Sequence, residues 1–321
     1  MANENFIVTS LPAYVEQQRP VLVKDIVFGT PTVSRIVPQT GIKTTAKINY
    51  ISADPVLQDG SNCGWSPQNT TELTQRAIET AIIKVNEEYC PDTLLGKWAE
   101  WNVRIPETQR ENLPFEGYVL QILSNSIKNK IEKLVWQGNK LSLDADLKWI
   151  DGFIKIASDE SAAVTEVAIA SDASAWNAIK AVIAALTNDI IRRGDVRVFV
   201  SPELYLAFVL DMVEKNFFHY SGPQDAYPEE IVFPGTNVRI VSTAGLSDTQ
   251  YILATNRDNM YYGCDVENAD EMFKVSYDER GNTLGVAVRW NMGVQFAFPN
   301  RVVLGHIGTI PPSPSSGSAS A

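Results

Sequence analysis

Few side chains in this sequence have the type and spacing that chemistry requires. There are two histidines, His219 and His306, far apart in the chain. His219 stands among Phe217, Phe218 and Tyr220, where an aromatic loop contact is expected rather than a general base. Asp144 and Asp146 begin the alternate-residue spacing of a calcium loop, but Lys148 occupies the next ligand position and ends that reading. Asp265, Glu267, Asp270 and Glu271 could gather round a cation, although a solvated acidic loop explains them as simply. Cys63 and Cys90 flank a candidate hairpin and could meet at its base. A metal there would need two more ligands that the sequence does not offer, so buried free thiols are expected. Lys128, Lys130 and Lys133 could face a polyanion, and a solvated helix face accounts for them equally well. No HExxH, GxSxG, GxxxxGKS/T or GxGxxG pattern is present. The sequence therefore predicts no catalytic, cofactor-binding or metal-binding residue, and no cofactor.

The totals narrow the class further. With 27 Lys and Arg against 38 Asp and Glu, the 321 residues carry a net charge of -11, which argues against a general grip on nucleic acid. A composition that is 45% hydrophobic and 20% charged is that of an ordinary soluble protein. No apolar run approaches the ~20 residues that span a bilayer. The N-terminal residues lack a basic stretch followed by an apolar core, so no signal peptide is expected and the sequon at Asn69 means little. Three cysteines suit a reducing compartment.

With no site to position, the elements themselves become the subject. The most regular stretch runs from Phe115 to Gly138. Val119, Ile122, Leu123, Ile127, Ile131, Leu134 and Val135 recur with the period of one buried helical face, and the three lysines lie opposite. Pro114 precedes this spine helix, and Gly138 lies where a left-handed terminating residue is wanted. Before it the chain reads as extended. Val21–Phe28 is the strand candidate in a proline-punctuated arm, and Ile42–Ile51 is a Thr- and Ile-rich strand. Thr70–Val85 fits a helix through Leu73, Ala77, Ala81 and Val85, but its Thr and Ile content favours a strand. That strand would place Ile78, Thr80 and Ile82 on one face and pair with Ile42–Ile51. A hairpin of that length, about 40 Å, is too thin to hold a core and is stable only against a neighbour.

After the spine, Asp151–Ile154 is expected to turn into a short strand, with residues 158–170 as a connection. One helix is then expected from Asp172 or Ser174 to Gly194, carrying Trp176, Ile179, Ile183, Leu186 and Ile190. Val196–Val200 is a buried strand, and Ser201-Pro202-Glu203 caps a helix with Leu204, Phe208 and Met212. Strands follow at Asn237–Ser242, Tyr251–Thr255 and Glu271–Tyr277. Leu284–Phe298 reads as a strand pair broken at Asn291-Met292-Gly293, Val302–Gly308 as a further strand, and residues 311–321 as a disordered tail.

This order of parts resembles the tailed-bacteriophage major capsid proteins of the Hong Kong 97-type fold, over nearly the whole chain. The residues that carry the resemblance are Leu134-Val135-Trp136-Gln137-Gly138 followed by Asp151-Gly152-Phe153-Ile154, the strand and helix start Val198-Phe199-Val200-Ser201-Pro202-Glu203, and Val232-Phe233-Pro234-Gly235-Thr236-Asn237-Val238. The resemblance implies an α+β fold of four parts. Residues 1–32 would be an N-arm and 33–90 an extended β-hairpin loop. Residues 91–160 with 269–294 would form a peripheral domain built on the spine helix 115–137, and 161–268 with 295–310 an axial α/β domain.

It also implies a non-enzymatic structural protein that assembles with itself, as hexamers and pentamers, into an icosahedral shell round a double-stranded DNA genome. Portal, scaffolding and decoration proteins would be its partners, with DNA packaged without sequence-specific binding and no membrane involved. The chain would reside in the virion after assembly in the host bacterial cytoplasm. The scaffold would be a separate protein, or the sequence already mature. Some relatives crosslink a loop lysine to a neighbour's asparagine; Lys43 and Lys47 lie in that region, but no partner is identified and the reaction is not carried over. An encapsulin-like compartment for cargo enzymes shares the fold, and a cofactor-free α/β hydrolase is the remaining alternative.

Overall fold

The computed structural model describes residues 25–52, 56–57, 72–89, 115–215, 230–265, 273–278 and 283–308. After the short helix α1 (Pro31–Ser34), its longest helix is α2 (Phe115–Gln137), the expected spine. Leu123, Ile127, Ile131, Leu134, Val135 and Trp136 are buried along it, whereas Ile122 is half exposed. A second ridge runs beside the apolar one: Ser124, Lys128, Glu132 and Trp136 stand four residues apart and so on one side of the helix.

The N-terminal segment lies on that ridge. Ser124 Oγ donates to Asp25 Oδ2 at 2.9 Å, and the Lys128 ammonium pairs with the same carboxylate at 2.6 Å. Buried Glu132 accepts from the backbone N–H of Thr32 at 3.2 Å and from its hydroxyl, which in turn accepts from Trp136 Nε1 at 2.8 Å. Residues 25–28 are a helical turn, not part of the expected strand at Val21–Phe28, whose first four residues lie outside the described residues. Consecutive Ile26 and Val27 are both buried, which a turn pressed on a core allows and the alternation of a half-exposed strand does not.

Helix α2 ends at Gly138 for a reason other than the expected one. Gly138 does not have a positive φ. It is buried, and a Cβ there would overlap the carbonyls of Leu134 and Ile150. Its carbonyl accepts from Gly152 N at 2.8 Å, so two glycines let the chain close back on the helix end. The chain then enters helix α3 (Phe153–Asp159) where a strand was expected, because Phe153, Ile154 and Ala157 bury at helical spacing.

A five-stranded sheet covers the apolar face of α2. Its path runs β1 (Val37–Gln39), β10 (Met260–Asp265), β12 (Thr283–Phe296), β11 (Phe273–Asp278), and β4 (Ala81–Tyr89) pairs with β12 as well. The 14-residue β12 is continuous through the expected break. What changes at Asn291-Met292-Gly293 is the partner: β11 pairs with residues 283–288 and β10 with residues 291–296. Val286, Val288, Trp290 and Met292 of this sheet bury in one cluster with Ile127, Ile131 and Trp136. Strand β10 was missed in the sequence, where its Tyr, Gly and Cys gave no alternation.

The expected hairpin is half right. Strand β2 (Thr45–Ser52) pairs antiparallel with β3 (Glu72–Glu79), but the strand stops at Thr80 and residues 81–89 leave as β4 to join β12. Faces switch at that step: Ile78 is fully buried, Ile82 is 52% exposed and Ile83 is buried. Gly293 makes the crossing possible, since a Cβ there would overlap the carbonyl of Glu79.

The third layer is a six-stranded sheet in the order β5 (Thr165–Ile169), β13 (Val303–Ile307), β9 (Tyr251–Asn256), β6 (Val196–Val200), β8 (Arg239–Ser242), β7 (Glu230–Val232). Strand β5 occupies part of what was expected to be a plain connection. Every residue of β6 is buried, including Arg197, whose guanidinium pairs with Asp195 and donates to the Arg35 carbonyl. The single helix expected up to Gly194 is two: α4 (Ala175–Ala184) and α5 (Asn188–Arg193). Thr187 is the extended N-cap residue of the second, and Leu186 and Ile190 bury on either side of it. Helix α6 (Pro202–Glu214) starts as expected, with Ser201 Oγ accepting from Leu204 N.

Candidate functional site: the ribbon base and the outer grooves

The residues singled out for chemistry do not come together. Cys63, Cys90, His219, Glu267, Asp270 and Glu271 lie outside the described residues. Asp265 is buried at the end of β10, and Cys264 beside it is a buried thiol whose pKa is pushed up to about 12, by burial first and by the Asp265 charge second. A thiol held protonated in this way is no nucleophile at neutral pH. Tyr262, two residues earlier, is raised further by burial and then by Cys264. His306 on β13 lies edge-on to Tyr251, ring centroids 4.7 Å apart, with Nδ1 3.2 Å from the Gly308 carbonyl. Asp144 accepts from Asp146 N within a turn, and Asp146 pairs with Lys130 at 3.1 Å. Among the described residues no cluster of three or more His, Cys, Asp or Glu could hold a metal ion. Nor is any described helix long and apolar enough to cross a membrane.

Of the three spine lysines, Lys128 and Lys130 are committed to Asp25 and Asp146, so the helix face is braced rather than simply solvated. Lys43 and Lys47 are exposed at the start of the ribbon, and the Lys43 carbonyl accepts from Asn291 Nδ2 at 3.0 Å.

What the structure does build is a set of surfaces. The β2–β3 ribbon shares a small core with the body: Ile42, Ile48, Ile78 and Ala297, with Ala46, Tyr261 and Phe298 packed against it. Its base is tied to the body by polar groups. Arg76 pairs with Glu160 and donates to Gln295 Oε1 at 3.1 Å, while Gln295 Nε2 donates to the Ala77 carbonyl at 3.2 Å. Lys140, just past the spine, bridges Glu79 at 3.1 Å and Asp151 at 3.5 Å. Burial lowers the Lys140 pKa, and the hydrogen bond to Glu79 and the Asp151 charge outweigh it, so the net direction is up. These groups rim a groove of about 370 Å³ floored by Ile150, Ile156 and Val294. A second groove, about 460 Å³, opens at the start of α6 between Glu203, Leu204, Ala207, Asp248, Gln250 and Ile307. Neither combines a nucleophile, a base and an oxyanion donor. Sequence reasoning missed the latch residues, since they sit far apart along the chain. The four-residue spacing of Ser124, Lys128, Glu132 and Trp136 was the visible signal for the clasp on the N-terminal segment.

No protein-family model and no curated protein sequence matches the chain. Solved structures do. The capsid of cyanophage A-1(L) is similar over 95% of this chain and 94% of its own, with a TM-score of 0.57 and 12% identity. The procapsid of satellite phage P4, which includes a size determination protein, is similar over 89% of this chain and 98% of its own, with a TM-score of 0.55 and 12% identity. A virus-like particle from Pyrococcus furiosus is similar over 91% and 99%, with a TM-score of 0.52 and 11% identity. The fold is that of phage capsid proteins, the α+β Hong Kong 97-type fold expected from the sequence.

Proposed function

We propose that this chain is the major capsid protein of a tailed phage, which assembles with itself into the icosahedral shell that encloses a double-stranded DNA genome. The observation that carries the reading is end-to-end similarity to shell subunits of two phages, combined with a surface built for contact rather than catalysis. A ribbon whose small core is borrowed from the body is a part that gains stability when neighbouring copies cover it.

The reading carries a division of labour. Residues 1–32 act as the arm, 33–90 as the extended loop, 91–160 with 269–294 as the peripheral domain, and 161–268 with 295–310 as the axial domain, with β4 and β10 reaching from the loop and axial ranges into the sheet of the peripheral domain. Hexamers and pentamers of the chain form the shell, with portal and scaffolding proteins as partners. The net charge of -11 suits a wall past which DNA slides during packaging, because a strongly basic lining would hold it. The chain is assembled in the host cytoplasm and resides in the virion.

The test is electron microscopy of the expressed full chain, alone and with the scaffold of its own genome. Closed shells that contain nucleic acid when produced in infected cells are the expected result. A chain that stays monomeric under every assembly condition overturns the reading. The second reading is a compartment for cargo enzymes, which the shared fold also allows. Particles filled with a co-encoded protein and free of nucleic acid would establish it.

A further inference from the structure

Two features of the six-stranded sheet's domain lie at opposite ends of strand β6. At its start, past the turn at Gly194, is the end of α5, with Ile191 42% exposed and Arg192 and Arg193 both exposed. At its finish, past Ser201, is the groove at the start of α6. Strand β6 has five residues and is about 17 Å long, so the two features face opposite sides of the domain.

Their chemistry is complementary. Two carboxylates lie near the α5 knob: Asp195 is paired with Arg197 at 3.3 Å, and Asp189 is held at 2.7 Å by Arg301, whose guanidinium also stacks 4.0 Å from the Phe298 ring. Arg193 reaches Asp189 only at 3.7 Å, so the knob presents two guanidinium groups in excess of the acid that could neutralise them, around an exposed isoleucine. The groove has the reverse character. Glu203 and Asp248 stand exposed on its rim and Leu204, Ala207 and Ile307 form an apolar lining. The lining continues one turn along α6 to Leu210, which is 57% exposed. The rim is rigid: Asp248 sits in a tight turn at φ 61, closed by Thr249 Oγ1 donating to the Leu246 carbonyl at 2.6 Å.

We infer that the α5 knob of one copy seats in the α6 groove of the next, Ile191 against the apolar lining and Arg192 and Arg193 against Glu203 and Asp248. The inference rests on the shell reading above and supplies it with a lateral contact. Two different patches on opposite sides give a head-to-tail interface, the kind that closes copies into a ring. One knob in one groove falls short of the ~1,200–2,000 Å² of a stable complex, so the contact holds where other contacts act in the same ring.

Charge reversal tests it, with particles counted by sedimentation and electron microscopy and folding checked by thermal melting. The full chain carrying Arg192→Glu and Arg193→Glu, or Glu203→Arg and Asp248→Arg, should melt as the wild type does yet need a concentration more than about tenfold higher to form particles, because like charges then meet at the contact. An equimolar mixture of the two variants should assemble at the wild-type concentration, since each knob then finds an opposite groove. Wild-type assembly by either variant alone, or a mixture that fails to recover, overturns the inference. If a reversed chain melts early, the milder pair Arg192→Gln and Arg193→Gln takes its place with the same expected direction. If the wild type forms no particles, the shell reading itself falls. The contact is then decided by sedimentation of the concentrated soluble chain. Salt-sensitive self-association lost in either reversed chain and regained in the mixture supports it, and its absence overturns it.

Discussion

The β2–β3 ribbon and the six-stranded sheet are stabilised in opposite ways, the first with Ile spaced among Thr and charged residues and the second with runs of Val and Ile. Strand β6 is buried along its whole length in a core that includes Val196, Val198, Phe208, Ile240 and Ile252. In the ribbon, Ile48 and Ile78 are the strand residues that reach a core, and side-chain polar contacts at the base do the rest. The difference teaches where the chain can give way. A dry core fixes the shape of the domain, whereas a polar latch sets the angle of the ribbon.

The largest expected effect comes from attacking the dry side of that comparison. Ile127 lies 2% exposed between α2 and the five-stranded sheet. Ile127→Asp places an unpaired carboxylate there, at a cost that reaches several kcal/mol against a total stability of about 5–15 kcal/mol. The variant should fail to fold, read as loss of the soluble chain and of the cooperative melt. A soluble, cooperatively melting variant would mean that this face of the helix is not the core.

The ribbon should respond differently to a large cut. Ile78→Ala removes a side chain that is completely buried, a change worth about 2–5 kcal/mol in a closed core. Here the loss should stay local. Amide exchange in residues 45–52 and 72–79 should quicken roughly thirtyfold or more, while β6 and β9 keep their protection. Slower folding or a lowered melt of the whole chain would show that ribbon and body are one cooperative unit.

A smaller effect tests the helix starts. Ser174 and Ser201 each accept a hydrogen bond from the first turn of their helices, from Asn177 N and Leu204 N. Ser201→Ala should lower stability by about 1 kcal/mol, measured by denaturant titration. Ser174→Ala should cost about the same, because its N···O distance of 3.4 Å is close to the 3.3 Å at Ser201.

These cases show how much could be read from the sequence. The spine helix, the buried β6 and the Ser201 cap were legible because each is dictated by residues a few positions apart. The continuous β12 was not, because Asn291-Met292-Gly293 has the composition of a turn, and only the long-range partners β4 and β10 hold it extended. The break at Leu186-Thr187 was hidden for the opposite reason: the apolar spacing on both sides fits one helix, whereas the backbone at Thr187 is extended. Gly138 was placed correctly and explained wrongly, since the need for glycine came from Ile150, twelve residues away. The ribbon latch joins residues 76, 140, 160 and 295, a separation over which sequence pattern carries no information. The candidate site was legible chiefly as a poverty of catalytic residues.

The smallest effect bears on the latch itself. Lys140 has a pKa raised above its ordinary 10.5, with burial opposing and Glu79 and Asp151 prevailing. A cation with a raised folded-state pKa contributes stability that is fully present below the unfolded value and fades as pH rises through the folded one. Lys140 is mostly exposed, so solvent screening holds the contribution to well under about 1 kcal/mol. The expectation is therefore a ribbon whose exchange protection is flat from pH 7 to 9 after correction for intrinsic rates, and which loosens above about pH 10.5. Lys140→Gln should remove that high-pH step and leave Arg76 and Glu160 holding the base. If the step survived in Lys140→Gln, the titrating group would be another one. The ribbon's angle would then be set by the Arg76 pair.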